Sequence, residues 1–238
     1  MFRGDIVKSR LLNKIVGLGL VLSLLAVPVK ADSGIAFGIS GNIADFTTTG
    51  NEEENWGAGG NGDAIEVNSG RSENQVEFGA VFLEFAGRND WAGMTVGVEY
   101  IPGEASLGTK TRSDSNSEGI TGDYTAKAEV SDHYHVYIEP TIYATEGIGV
   151  YLKGGVNRVT VKTQESLSSG GAYGDVKIWG ASVGAGLRYL HESGFLIKTE
   201  YARTRYEGIT LNSTGGNINR IKADPRSESI RLAIGYQF

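Results

Sequence analysis

The chain ends in Ile230-Arg231-Leu232-Ala233-Ile234-Gly235-Tyr236-Gln237-Phe238, and this stretch decides the reading of the fold. Apolar side chains stand at 230, 232, 234, 236 and 238, with arginine, alanine, glycine and glutamine between them. A period of two puts alternate side chains on opposite faces of a strand, so one face of this segment is apolar throughout. The same alternation recurs upstream, at Ile35/Phe37/Ile39, Met94/Val96/Val98/Tyr100, Tyr134/Val136/Ile138 and Ile148/Val150/Leu152. It continues at Val183/Ala185/Leu187/Tyr189 and Phe195/Ile197/Tyr201. A further strand is expected from Val76 to Phe85. Its apolar phase slips between Phe82 and Leu83, which reads as a bulge or a register error. With the C-terminal segment these make eight strands.

The connections sort into two kinds. Short turns are expected at Gly87–Asp90, Ala144–Gly147 and His191–Gly194, and long loops at Thr47–Glu73, Pro102–Thr121, Thr163–Gly174 and Glu207–Arg226. Long and short alternate along the chain, as in membrane barrels with tight periplasmic turns and longer extracellular loops. Pro140 falls inside the fourth strand, where it removes a ladder hydrogen bond. A position near the periplasmic end would tolerate it.

The first 31 residues differ from the rest. Arg3, Lys8, Arg10 and Lys14 precede an apolar run from Ile15 to Val27, and Val29 and Ala31 occupy the small-residue positions of a signal-peptidase site. The run is shorter than the roughly 20 residues a spanning helix needs. A cleaved signal peptide over 1–31 and a barrel domain over 32–238 are therefore expected. Of the 22 basic and 28 acidic residues, 17 and 27 lie beyond Ala31, a net charge near −10. That balance offers no basic footprint for nucleic acid. There is no cysteine, hence no disulfide, thiolate metal site or thiol nucleophile.

Alternation alone does not say whether the apolar face meets lipid or the core of a soluble barrel, and the soluble barrel stays open as an alternative. Three features favour lipid. Gly38, Gly97, Gly149, Gly155, Gly184, Gly186 and Gly235 share the polar face, where the narrow interior of an eight-stranded barrel demands small residues. Glu99, Glu139, Lys153, Arg188, Lys198, Glu200 and Arg231 share it too, a near-balanced set suited to a paired lumen charge network. Aromatic residues cluster at two levels. Trp91, Tyr143, Tyr189, Phe195, Tyr236 and Phe238 lie beside short turns or the chain end, and Phe46, Phe78, Tyr100, Tyr134 and Tyr201 near long connections. Two interfacial girdles would have that distribution.

The last strand, through Leu232, Ile234, Tyr236 and the terminal Phe238, resembles the C-terminal strand of bacterial outer-membrane proteins. The chain from Asp32 onward resembles, in architecture, the small eight-stranded group that includes the OmpA transmembrane domain, OmpX and opacity-type surface proteins. The resemblance implies an all-β, eight-stranded antiparallel up-and-down transmembrane β-barrel in the outer membrane. It implies outer-membrane lipids as its surroundings, a monomer, and recognition of that last strand by the barrel-assembly machinery.

Chemistry-bearing motifs are few. His133 and His135 share a strand face with no evident third metal ligand. His191, Glu192 and Ser193 are catalytic residue types, but three neighbours of one tight turn converge poorly on one bond. Glu52, Glu53, Glu54, Asp63 and Glu66 are acidic without the spacing of a calcium loop. The expectation is a protein that is not an enzyme and has no cofactor or metal. Its role is structural, or it is exercised on an extracellular ligand that the sequence does not name. A narrow channel for ions or small solutes and an outer-membrane lipid-modifying enzyme remain as alternatives.

Overall fold

A computed structural model describes residues 32–54, 66–115, 121–166, 173–213 and 219–238. The expected signal peptide, residues 1–31, lies outside the described residues. So do Asp63 and the centres of the four long connections.

The described residues form strands and no helix. In chain order the strands are β1 (Asp32–Glu54), β2 (Glu66–Arg88), β3 (Ala92–Ser115), β4 (Thr121–Tyr143), β5 (Ile148–Ser166), β6 (Val176–Leu190), β7 (Phe195–Tyr206), β8 (Ile209–Asn212) and β9 (Arg220–Gln237). Successive strands from β1 to β7 pair antiparallel, and β9 lies between β7 and β1, so the sheet closes on itself. The closing ladder runs from Ala36↔Gln237 to Glu53↔Arg220. β8 is a short strand hydrogen-bonded to the outer part of β9, so the closed barrel has eight strands.

The apolar face is outside. Ile35, Phe37, Ile39 and Ile43 of β1, Val96 and Val98 of β3, Val150 and Leu152 of β5, and Ile230, Leu232 and Ile234 of β9 are all exposed. Their partners in alternation point inward, including Glu99, Glu139 and Lys153, which are buried. A soluble barrel would show the reverse, so this polarity fits a barrel whose solvent is lipid. On β5 the outward apolar run is Ile148–Val156, and on β1 it is Ile35–Ile43. Nine tilted residues match the usual hydrocarbon crossing of a strand, roughly 9–11 residues.

Two sequence expectations need correction. Of the two readings of the phase slip at Phe82, the register error holds and, in the ladder with β3, the bulge does not. The β2–β3 ladder runs unbroken from Val81↔Tyr100 to Arg88↔Gly93, with Val81, Leu83 and Phe85 outward and Phe82 and Glu84 inward. The apparent phase slip arose because Phe82 is a large apolar side chain that belongs to the interior. The expected long loops are also largely strand. Segments 47–54, 66–73, 102–115, 163–166 and 220–226 are all paired β-structure. β1 continues eleven residues past Ile43, to Glu54, which carries it about 25 Å beyond the apolar belt at a typical strand tilt.

The ladder is irregular where the barrel leaves the belt. Register shifts fall between Ile101 and Glu104 and between Ser131 and Tyr134, directly beyond the paired rings of Tyr100 and Tyr134. Gly103 has a φ of 92° and Asp132 a φ of 50°, the left-handed region that glycine and aspartate enter most readily. Pro140 sits three residues from the end of β4. It pairs with Met94 of β3, and the ladder to β5 skips from Ile138↔Gly154 to Thr141↔Tyr151 without changing register. The missing N–H thus costs one stretch of a single ladder.

The girdles are smaller than the sequence suggests. Trp91, Tyr189, Phe195, Tyr236 and Phe238 are outward at one level, and Tyr100, Tyr134 and Tyr201 at the other, where Trp179 joins them. Tyr143, Phe46 and Phe78 point inward instead.

Far outside the belt, Arg220 Nε donates to Glu53 Oε2 at 2.7 Å, and Lys222 donates to the other oxygen. The Lys222 hydrogen bond, then that of Arg220, holds the Glu53 carboxyl below its ordinary value of 4.5. A depressed carboxyl stabilises the fold above the unfolded value and loses that contribution as pH falls through the folded one. Amide protection at the β1–β9 tip, around Glu52 and Ile221, taken relative to the intrinsic exchange rate at each pH, should therefore fall as pH drops below about 4.5 and hold above it. Replacement of Glu53 by Gln should abolish the dependence.

The outward polarity has its own check. Leu152→Arg, in the middle of the β5 belt, should cost about 2–4 kcal/mol of unfolding free energy in lipid vesicles. On a water-facing strand the same change would fall within about 0.5 kcal/mol.

Candidate functional site: the lumen

Period two brings the charged residues to one place. Glu84 of β2, Glu99 of β3, Glu139 of β4, Lys153 of β5, Arg188 of β6, Lys198 and Glu200 of β7 and Arg231 of β9 all point inward and are buried. Every barrel strand except β1 contributes. Four carboxylates face four cations, so the interior is neutral by formal charge.

Seven of the eight form one alternating chain across the lumen. Glu84 Oε1 lies 2.5 Å from Lys198 Nζ, and Lys198 lies 2.6 Å from Glu139. Glu139 is 3.8 Å from Lys153, and Lys153 is 3.2 Å from Glu200. Glu200 is 3.9 Å from Arg231, and Arg231 is 2.5 Å from Glu99. Arg188 stands apart from this chain: it donates to Thr95 Oγ1 at 2.9 Å and to Gln237 at 3.4 Å.

Two tyrosines complete the lattice. Tyr137 donates to Glu84 at 2.7 Å and Tyr151 to Glu200 at 3.0 Å. Their ring faces receive cations, Lys153 over Tyr137 at 3.9 Å and Lys198 over Tyr151 at 5.0 Å. Desolvated ammonium groups gain from an aromatic face in addition to their carboxylates. The rings need space, which glycine supplies. A Cβ at Gly186 would come within 2.6 Å of Tyr151 Cζ, and one at Gly97 would collide with the ring of Tyr137.

Glu84, Tyr137 and Tyr151 escape the sequence reading. The tyrosines stand two residues before Glu139 and Lys153, so the period places them on the same face. Glu84 stands two residues after Phe82, and the apparent phase slip there hides it.

The lumen is layered above and below this lattice. On the side of the short turns, Ala36, Phe82, Leu196 and Ala233 form a buried apolar floor. On the other side is a polar cavity of about 40 Å³, lined in part by Asn42, His133, His135, Asn157 and Ser182. That volume suffices for a few water molecules. His133 Nε2 lies 2.9 Å from Asn157 Oδ1, and His135 Nε2 lies 2.8 Å from Ser182 Oγ. Stacked Phe46 and Tyr206 border the cavity beyond, their ring centroids 6.4 Å apart. Further out, Val159, Val161, Ile178 and Ile209 pack together inside the extension. Apart from that cavity, side chains fill the interior at the described levels.

The remaining sequence candidates are dispersed. His191 Nδ1 accepts from the Ser193 N–H at 3.1 Å and lies 2.8 Å from its hydroxyl, a contact that closes the exposed turn upon itself. Glu52 accepts from Asn219 at 3.1 Å and Glu53 is engaged by Arg220 and Lys222, so these two acids serve the extension's own pairing. Among the described residues no cluster of three or more His, Cys, Asp or Glu side chains could hold a metal. Leu232, Ile234, Tyr236 and Phe238 are exposed on the lipid face of β9. The Phe238 ring packs 4.9 Å from Tyr236 and 5.7 Å from Phe37.

Removing one member of a buried ion pair strands its partner, at a typical cost of about 3–5 kcal/mol. Lys198→Met, which leaves Glu84 without an ion-pair partner and Glu139 with only Lys153 at 3.8 Å, should fall in that range by urea unfolding in vesicles. Adding Glu84→Gln should recover part of the loss, because the two side chains share one contact and their effects are not additive.

No protein-family model matches the sequence, and a search of curated proteins finds none similar to it. Comparison with solved structures does find fold-level likenesses, all at low identity. Ail, the attachment invasion locus protein of Yersinia pestis, solved in complex with the heparin analogue sucrose octasulfate, is 13% identical over 88% of this chain and 100% of its own, with a TM-score of 0.41. The outer membrane protease OmpT from Escherichia coli is 11% identical over 90% and 99%, with a TM-score of 0.47. The outer membrane protein OprG from Pseudomonas aeruginosa is 16% identical over 85% and 95%, with a TM-score of 0.46. These likenesses concern fold alone. The chain is an eight-stranded antiparallel barrel with the outward apolar polarity of membrane barrels.

Proposed function

We propose that the protein is a non-enzymatic outer-membrane barrel whose role is structural or interactive, exercised through the β-extension beyond the membrane. The observation that carries this reading is the lumen. A chain of ion pairs runs across it from Glu84 to Glu99, with an apolar floor on one side and, beyond a small polar cavity of about 40 Å³, packed side chains on the other. An interior filled this way leaves no continuous aqueous path, whereas porins with water-filled channels use many more strands. The surface available to a partner is then the extension, where residues 67–73 of β2 are all exposed.

Secretion by a cleaved signal peptide over 1–31, insertion as a monomer, and recognition of Leu232, Ile234, Tyr236 and Phe238 by the assembly machinery complete the proposal. The outward, ungapped presentation of those four side chains on β9 supports the last of these.

Single-channel recording in planar bilayers tests the reading. The wild-type barrel should be electrically silent. Steady single-channel conductance of the wild-type barrel would favour the narrow channel instead. Unchanged lipid A mass on expression is expected, and a new modification would restore the enzymatic alternative.

A further inference from the structure

The outer surface just beyond the belt carries a pair of charges that the protein leaves unneutralised. β7 and β9 are in register as Tyr201↔Ile230, Arg203↔Glu228 and Arg205↔Arg226. The first pair belongs to the lipid-facing surface. The second is a neutralised step, with Arg203 Nε 3.3 Å from Glu228 and 2.8 Å from the Tyr201 hydroxyl, which itself donates to Glu228. The third places two exposed guanidinium groups side by side on the outward face. Opposed residues of an antiparallel pair have Cβ atoms about 5 Å apart, and like charges at that separation destabilise the pair.

Neither arginine has a hydrogen bond or ion pair among the described residues. The carboxylates around them are engaged or apart. Glu228 is held by Arg203, Glu207 accepts the Trp179 N–H at 3.2 Å, and neither Asp224, next outward on β9, nor Asp45, the outward acid of β1 opposite Glu228, makes an ion pair with either arginine. The flanking partners in the ladder are small, Ala181 beside Arg205 and Thr47 beside Arg226, so no bulky side chain flanks the pair in its row.

The height of the pair bears on what would meet it. Arg205 and Arg226 lie four residues beyond Tyr201 and Ile230, about 10 Å along the membrane normal at a typical strand tilt. The polar headgroup zone is roughly 5–8 Å deep on each side of the hydrocarbon core, so their backbone stands at its outer edge and their long side chains reach it by bending back toward the belt. Arginine stems lie along apolar surface and bring their heads to such a boundary. Guanidinium forks match phosphate oxygens in geometry as well as charge. We propose that Arg205 and Arg226 form a clasp for the phosphate of a lipid headgroup in the membrane leaflet from which the extension projects. The inference rests on the membrane-spanning reading and is independent of what the extension binds.

The test is urea unfolding of the full chain in phosphatidylcholine vesicles, with and without phosphatidic acid, and in dodecyl maltoside micelles with and without inorganic phosphate. Wild type is compared with Arg205→Gln/Arg226→Gln, and with Lys177→Gln as an outward cation outside the clasp. Phosphatidic acid should raise the wild-type unfolding midpoint. The double variant should lose most of that rise, and Lys177→Gln should keep it. In phosphate-free micelles the sign should reverse, the double variant being at least as stable as wild type because the like-charge contact is gone. An equal rise in wild type and double variant overturns the clasp. An equal loss in Lys177→Gln reduces it to general attraction and overturns it too. A comparable rise with inorganic phosphate in micelles overturns the lipid assignment. Failure of the chain to enter either kind of vesicle overturns the membrane reading itself.

Discussion

A strand in hydrocarbon has no water to satisfy its N–H and C=O groups, so a sheet crossing a membrane must close upon itself. Closure here is made by β9, which pairs with β7 on one edge and with β1 on the other. Everything else follows from that ring. Once the sheet is closed, its two faces see different solvents, lipid outside and a narrow tube inside. Alternation assigns every side chain to one or the other. The charged residues can go only inward, and inside they have only each other.

This explains why the lattice takes the form it does. A carboxylate or ammonium group withdrawn from water costs several kcal/mol unless its partners compensate. With four acids and four bases drawn from seven strands, compensation is collective, each of the central groups touching two of opposite sign. The arrangement also ties the wall together across its diameter, adding cross-lumen contacts to a structure whose ladders join only neighbours. Glycine and tyrosine are two sides of the same packing problem, since Tyr137 and Tyr151 fill the tube only because Gly97 and Gly186 have no side chain to put there.

Outside the belt the constraint changes. Water again satisfies backbone groups, and the ladders tolerate irregularity as soon as it does. The bulges at Ile101/Glu104 and Ser131/Tyr134 fall just beyond the aromatic row. The extension has an apolar interior of its own, around Val159, Val161, Ile178 and Ile209, which accounts for strand where polar composition suggests loop. Composition there reports the exposed face. Pairing is decided by the other face and by the neighbours.

The sequence by itself determined the number of barrel strands and their antiparallel order, because a period of two is local and survives without knowledge of contacts. The direction of the apolar face was settled by the burial of Glu99, Glu139 and Lys153 inside the closed sheet. It also assigned Glu99, Glu139, Lys153, Arg188, Lys198, Glu200 and Arg231 to one face by the same arithmetic. The tertiary structure decided what alternation cannot carry. Glu84 completes the charge balance only through strand register across the barrel, and Arg188 leaves the ion-pair chain because Thr95 and Gln237, not a carboxylate, lie opposite it. Phe46, Phe78 and Tyr143 point inward although their positions suggested girdles, because an aromatic ring suits an interface and a packed lumen equally well. The extent of the extension and the meeting of Arg205 with Arg226 depend on pairing between segments distant in sequence. No local pattern records that.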